Sequence, residues 1–181
     1  MDERKLVKIS KYLSKHLRHQ PERLGLSLED EGWVNVEDLL KACARHNFPV
    51  SLGELKEVVE KNDKKRFSFD ESGKKIRANQ GHSVAVDLKL TAQIPPVALY
   101  HGTAERNADL IKKHGLLKMA RHHVHLSTNL ETARQVGVRH GKPLIFKIDT
   151  TAMTAENFEF FVSANGVWLI EQVPPKFLTI L

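Results

Sequence analysis

Apolar residues recur with helical spacing along the first third of the chain. Leu6, Val7, Ile9, Leu13 and Leu17 share one face at intervals near three and four, the period of an amphipathic helix. The helix is predicted to stop near Gln20, because Pro21 disfavours helical geometry in the residue before it. EDEGW (29–33) reads as a turn. Val36, Leu39, Leu40 and Ala44 then predict a second helix, with Asn35 as its N-cap. Ser51 and Glu54 form a capping-box pattern that opens a third helix, with Leu52, Leu55, Val58 and Val59 inward. In RFSFDESGKKIRA (66–78) the period falls to two around the turn DESG. Phe67, Phe69 and Ile76 then face the core, and Arg66 and Ser68 face away.

Three helices followed by a hairpin is the order of a winged helix, a module that often binds nucleic acid. TAQIPPVAL (91–99) interrupts both periodicities with Pro95 and Pro96, so the domains are expected to span 1–93 and 94–181. Past that point the pattern is richer in strands: VALYHGT (97–103), HVHLS (123–127), PLIFKIDT (143–150), FEFFVS (158–163) and GVWLIEQV (166–173). A helical stretch covers 104–114 and Gly115 ends it. Thr128 with Glu131 predicts a cap for another helix running toward Gly137. The fold class is therefore α+β, and neither repeats nor low-complexity segments appear.

Composition narrows the partners. Of 181 residues, 41% are hydrophobic and 28% charged, enough for a packed core under a soluble surface. No apolar run is long enough to span a bilayer, and MDERKLVKIS lacks the apolar core of a signal peptide. One cysteine, Cys43, excludes an internal disulfide and a cysteine-based zinc site. The expected location is the cytoplasm. The net charge of +6 is divided evenly between the halves, with no basic tail. A modest field of that sign suits a polyanion such as nucleic acid.

No GxGxxG, GxxxxGK[ST] or GxSxG motif occurs, so a Rossmann domain, a P-loop NTPase and an α/β-hydrolase are unsupported. RHHVH (121–125) puts His123 and His125 on one strand face, but there is no HExxH and no well-placed third ligand. We expect no metal there. Three arginines stand out, each with an ordinary explanation. Arg18 lies at a helix end that favours cations; Arg66 sits in the charge run DKKRF (63–67); Arg121 neighbours the histidines.

At this point the residues resemble a family, the KptA-type RNA 2′-phosphotransferases, which act on tRNA. The matching segments are SKHLRHQPERLGLSLEDEGWV (14–34), DKKRFSF (63–69), IRANQGHS (76–83), LYHGT (99–103), GLLKMARHHVHLS (115–127), VGVRHGKP (136–143) and NGVWLIEQVPPKFL (165–178). The resemblance implies an N-terminal winged helix joined to a C-terminal ADP-ribosyltransferase-like domain. It implies NAD+ as co-substrate, no metal, and an RNA substrate carrying an internal 2′-phosphate, tRNA-like in kind. The RNA phosphate displaces nicotinamide to give an RNA-2′-phospho-ADP-ribose intermediate. Transesterification then yields 2′-hydroxyl RNA and ADP-ribose 1″,2″-cyclic phosphate.

The family's catalytic group falls on Arg18, His19, Arg66 and Arg121. Its NAD+ residues fall on His101, Gly102, Thr103, His125 and Ser127. RNA contacts are expected from Arg18, His19, Arg66, His82 and Ser83. Val167 stands where many ADP-ribosyltransferases carry a glutamate, which speaks against transfer to protein side chains. Trp33 and Trp168 are expected in the core. A monomer is expected. Two competing classes stay open: an ADP-ribosyltransferase acting on nucleic-acid ends, and a non-catalytic RNA-binding module.

Overall fold

The computed structural model describes residues 1–62 and 64–181; Asp63, the first residue of the DKKRF run, lies outside the described residues. The chain divides into two compact units, Met1–Lys89 and Leu90–Leu181. Both mix helices with small antiparallel sheets, and six α-helices occur among the described residues.

In the first unit, helix α1 spans Glu3–His19, with Asp2 capping its start. Gln20 leaves helical geometry, as the following proline requires. Ile9, Leu13 and Leu17 are buried, whereas Val7 is 41% exposed and lies outside the core face. A short strand β1 (Val34–Asn35) leads into α2 (Val36–Arg45), where the Asn35 side chain accepts from the amides of Glu37 and Asp38. Helix α3 (Leu52–Lys61) opens on the Ser51–Glu54 capping box. Its Leu55 and Val58 are fully buried, but Leu52 is exposed, since the first residue of a helix lies at the rim. Strands β2 (Phe67–Phe69) and β3 (Lys75–Ala78) pair with Ser68 opposite Arg77, and β3 also pairs with β1. Cys43 is buried in this core, and burial pushes its thiol up to about 11. Trp33 sits at the edge rather than inside, with the Arg77 guanidinium 4.5 Å from its ring.

The second unit begins with β4 (Ala92–Gln93) and β5 (Ala98–Ala104), then α4 (Ala108–His114), β6 (Leu116–Leu117) and β7 (Val124–Leu126). Helix α5 (Leu130–Val138), β8 (Pro143–Asp149), α6 (Thr150–Ala155), β9 (Phe160–Val162), β10 (Trp168–Ile170), β11 (Gln172–Val173) and β12 (Leu178–Ile180) complete it. One sheet has the order β4-β9-β10-β7 and another β12-β8-β5; β6 pairs with β11. Leu99 and Ile148 from one sheet meet Val124, Leu126, Phe160 and Ile170 from the other in a single core. Trp168 is half-buried at its margin. The α5 cap is Asn129, whose side chain accepts from the Thr132 amide. The expected Thr128–Glu131 box is displaced because Ser127 and Asn129 already close a turn one residue later. Helix α6 is absent from the sequence reading, because PLIFKIDT runs straight into its Asp149 cap. Among the described residues no helix is long and apolar enough to cross a membrane.

Candidate active site

In the first unit the basic residues sit on a scaffold of small polar side chains. Arg66 enters β2 after Lys65, which takes a positive φ of 39°. The buried Asn79 holds that turn: its side chain donates to the Lys65 carbonyl at 2.7 Å, and its amide donates to the Arg66 carbonyl at 2.8 Å. Arg66 Nη1 donates to Ser10 Oγ at 3.1 Å and to Asn62 Oδ1 at 3.4 Å. Asn62 Nδ2 donates to Ser10 Oγ at 2.6 Å. Ser10 and Asn62 are buried, 2% and 5% exposed. A buried amide and hydroxyl must be hydrogen-bonded, so Arg66 is restrained by groups that themselves cannot turn away.

Arg18 and His19 end α1, and the loop that follows β3 returns to them. The Arg18 carbonyl, in the last turn of the helix, accepts from the amides of Ser83 at 2.9 Å and Val84 at 3.4 Å. His19 Nδ1 lies 2.9 Å from Ser83 Oγ. His82 is 1% exposed. A Cβ at Gly32 would come within 3.2 Å of its Nε2, so the histidine seats this loop on the turn at Gly32. Ser83 is thereby the member of the pair that faces the helix end.

In the second unit, His101, His125 and Arg121 form a chain. His101 Nδ1 lies 3.0 Å from the His125 carbonyl, which only accepts, so Nδ1 carries the proton and Nε2 is left as an acceptor. Burial, then the nearby Arg121 charge, holds the His101 pKa below its ordinary value. The ring is neutral near pH 7. Arg121 Nη1 lies 3.2 Å from His125 Nδ1. Guanidinium only donates, so that nitrogen is the acceptor and His125 carries its proton on Nε2. The two imidazoles are locked in opposite tautomers.

The rest of the motif builds this unit. Gly102 lies within β5, and a Cβ there would stand 1.7 Å from the Ala133 carbonyl of α5. Thr103 Oγ1 accepts from Asn107 Nδ2 at 3.0 Å. Ser127 Oγ donates to the Asn129 carbonyl and accepts its amide, both at 3.0 Å, and its backbone pairs with Tyr100. Val167 closes the turn after β9, where its carbonyl accepts from the Ser163 amide at 2.9 Å. His123 packs on Phe161, ring centroids 5.8 Å apart; burial first, then His122 and Lys118, lowers its pKa. Among the described residues no group of three or more histidine, cysteine or acidic side chains is placed to hold a metal.

Ser10, Asn62 and Asn79 are absent from the sequence-derived site. The available signal was Ser10 beside the apolar face of α1, where a hydroxyl requires a partner.

These features define a chain with restrained cations in one unit and a neutral histidine relay in the other. It belongs to the RNA 2′-phosphotransferase, Tpt1 / KptA family, whose model matches residues 4–172. A probable RNA 2′-phosphotransferase of Trichormus variabilis is 61% identical over 178 residues, covering 98% of both chains. Counterparts of the same description are 57% identical in Herpetosiphon aurantiacus, over 99% of both chains, and 57% identical in Streptomyces griseus, over 98% of both.

Proposed function

We propose that the chain removes an internal 2′-phosphate from RNA with NAD+ as co-substrate. Its first unit serves as a winged helix that engages tRNA-like RNA, and its second as an ADP-ribosyltransferase-like NAD+ unit. The observation that carries the reading is the His101–His125–Arg121 chain. A neutral imidazole with a bare Nε2 suits a ribose hydroxyl and does not repel the positively charged nicotinamide ring. When bound, NAD+ supplies an electrophilic anomeric carbon whose leaving group departs neutral, so no acid has to protonate it.

The chain's residues then act as follows. His101 and His125 orient the nicotinamide ribose, while Gly102, Thr103 and Ser127 fix the strand and turn that present them. Arg18, Arg66 and Arg121 hold the phosphate oxygens. Guanidinium does so through a planar fork and keeps its charge. Fixed cations stabilise the charge that spreads over the equatorial oxygens when phosphorus is attacked, with no reorganisation. His19, oriented by Ser83, either donates to that phosphate or takes the proton of the attacking hydroxyl; an imidazole can serve in either role. His82 supports Ser83. The turn at Val167 places no carboxylate to repel a phosphate dianion. The working state is a monomer, and no metal takes part.

One incubation tests this: the protein, NAD+, a chelator, and an oligonucleotide with an internal 2′-phosphate. The expected products are 2′-hydroxyl RNA, nicotinamide and ADP-ribose 1″,2″-cyclic phosphate. ADP-ribosylated ends identify an end-modifying transferase instead, and no turnover identifies a binding module. Arg66→Ala and Arg121→Ala should release nicotinamide without regenerating the 2′-hydroxyl. Loss of nicotinamide release in both would show that the arginines serve the first step.

A further inference from the structure

Helix α1 carries a second pattern opposite its buried face. Arg4, Lys8, Lys11, Lys15 and Arg18 recur at intervals of four and three, which places them on one stripe of a helix. The stripe is about 21 Å long at 1.5 Å per residue, and its last member is the Arg18 already assigned to the phosphate. Arg4, Lys8, Lys11 and Lys15 are exposed. None of these four forms an ion pair among the described residues, whereas Lys5, one position off the stripe, pairs with Glu54. Lys8 instead lies 5.6 Å from the Phe48 ring centroid. Glu3 is the one acidic residue within α1, and it lies off the stripe.

The fold does not ask for this arrangement. Like charges three and four apart repel along a helix. Arg4 also stands in the first turn, where the helix dipole disfavours a cation. The opposite face of α1, formed by Ile9, Leu13 and Leu17, is committed to the core. No apolar face therefore remains to enter a membrane, and the charges are available to a polyanion in water. A cleft of about 430 Å³, lined by Asp2, Arg4, Lys5, Lys8, Asn47 and Phe48, opens beside the start of the stripe.

We infer that Arg4, Lys8, Lys11 and Lys15 form a track for the RNA phosphodiester backbone flanking the 2′-phosphate, leading to Arg18. The inference rests on the RNA reading above and names the surface that would hold the strand outside the reacting nucleotide. Such contacts position a chain without reading its bases, and they release counterions.

The test uses K8Q/K11Q/K15Q in the full chain. Glutamine has nearly the helix propensity of lysine, and circular dichroism checks the fold. K112Q/K113Q/K147Q removes the same charge elsewhere. Binding of a labelled single-stranded RNA lacking any 2′-phosphate is followed by fluorescence anisotropy against salt. Turnover is compared between a short 2′-phosphorylated oligonucleotide and one extended by several nucleotides on both sides. At about 0.7 per neutralised phosphate, three contacts lower the slope of log affinity against log salt by about 2. A fourfold rise in salt then costs the unmodified chain about 20-fold more than the variant. The extended substrate's advantage in kcat/KM should vanish in the track variant and persist in the control. If the track variant matched the control in salt slope and in length dependence, the track would be refuted. If the unmodified chain turned over neither substrate, the proposed reaction would fail, while anisotropy would still decide the track.

Discussion

Two arginines assigned to one chemistry are held in opposite ways. Arg66 in the first unit is restrained by side chains, Ser10 and Asn62, both buried. Arg121 in the second is exposed and meets one imidazole, whose own strand is fixed by backbone: β10 on one side, and the His101 contact to the His125 carbonyl. The difference predicts how each half fails. Changes in the first unit should loosen a cation while leaving a folded protein. Changes to the backbone scaffold of the second should either leave the site intact or take the fold with it.

The sharpest break of this comparison is Gly102→Ala. The methyl group meets the Ala133 carbonyl and neither backbone can yield alone, so a loss of about 3 kcal/mol or more is expected. Urea unfolding and soluble yield measure it. Asn62→Ala is the matching change in the first unit. It removes the buried amide that both Ser10 and Arg66 contact, and the expected loss is about 1–2 kcal/mol of stability. Its kcat/KM should fall further than that stability loss explains, because Arg66 is less tightly restrained; steady-state kinetics on the folded fraction tests this.

Acid should weaken the second unit through His101. Its folded pKa is depressed, so the unfolded chain takes up the proton first. Stability is therefore complete above about pH 6.5 and is lost as pH falls below it. His101→Gln should flatten, without abolishing, the decline of the urea midpoint from about pH 6.5 to pH 5, since burial also depresses His16 and His123. An unchanged slope would assign the dependence to those two. Ser83→Ala removes one hydroxyl from an exposed contact with His19. It should cost about 0.5–1 kcal/mol in transition-state binding, roughly two- to fivefold in kcat/KM, with unfolding unchanged. The smallest effect has the opposite sign. Gly53 lies in the first turn of α3 with nothing near a new Cβ. Gly53→Ala should stabilise by about 0.5 kcal/mol, read as a higher urea midpoint.

The strongly periodic elements were legible in sequence. The α1 stop at Pro21, the Asn35 cap and the Ser51–Glu54 box each follow from one or two residues acting locally. The Asn129 cap was not legible, because two neighbouring polar residues compete for it and a turn through Ser127 decides. Helix α6 was hidden by an apolar run shared with β8. At the site, His101, Arg121 and His125 stood out by residue type. The tautomers did not, since they depend on a carbonyl and a guanidinium brought in by folding. Asn62 was invisible because nothing in its local sequence marks it as the partner of a serine in α1.

The close approach of β5 to α5 bears on how tolerance at this site is interpreted. In a library that varies every position and selects for removal of an RNA 2′-phosphate, Gly102 and His101 would both admit almost nothing, and the two intolerances would look alike. They differ in what is lost. Substitutions at Gly102 should deplete the protein itself, because a helix carbonyl occupies the space of any side chain. Substitutions at His101 should leave protein behind that has stopped working. Counting abundance beside activity in the same library separates the residues that make the second unit from those that use it.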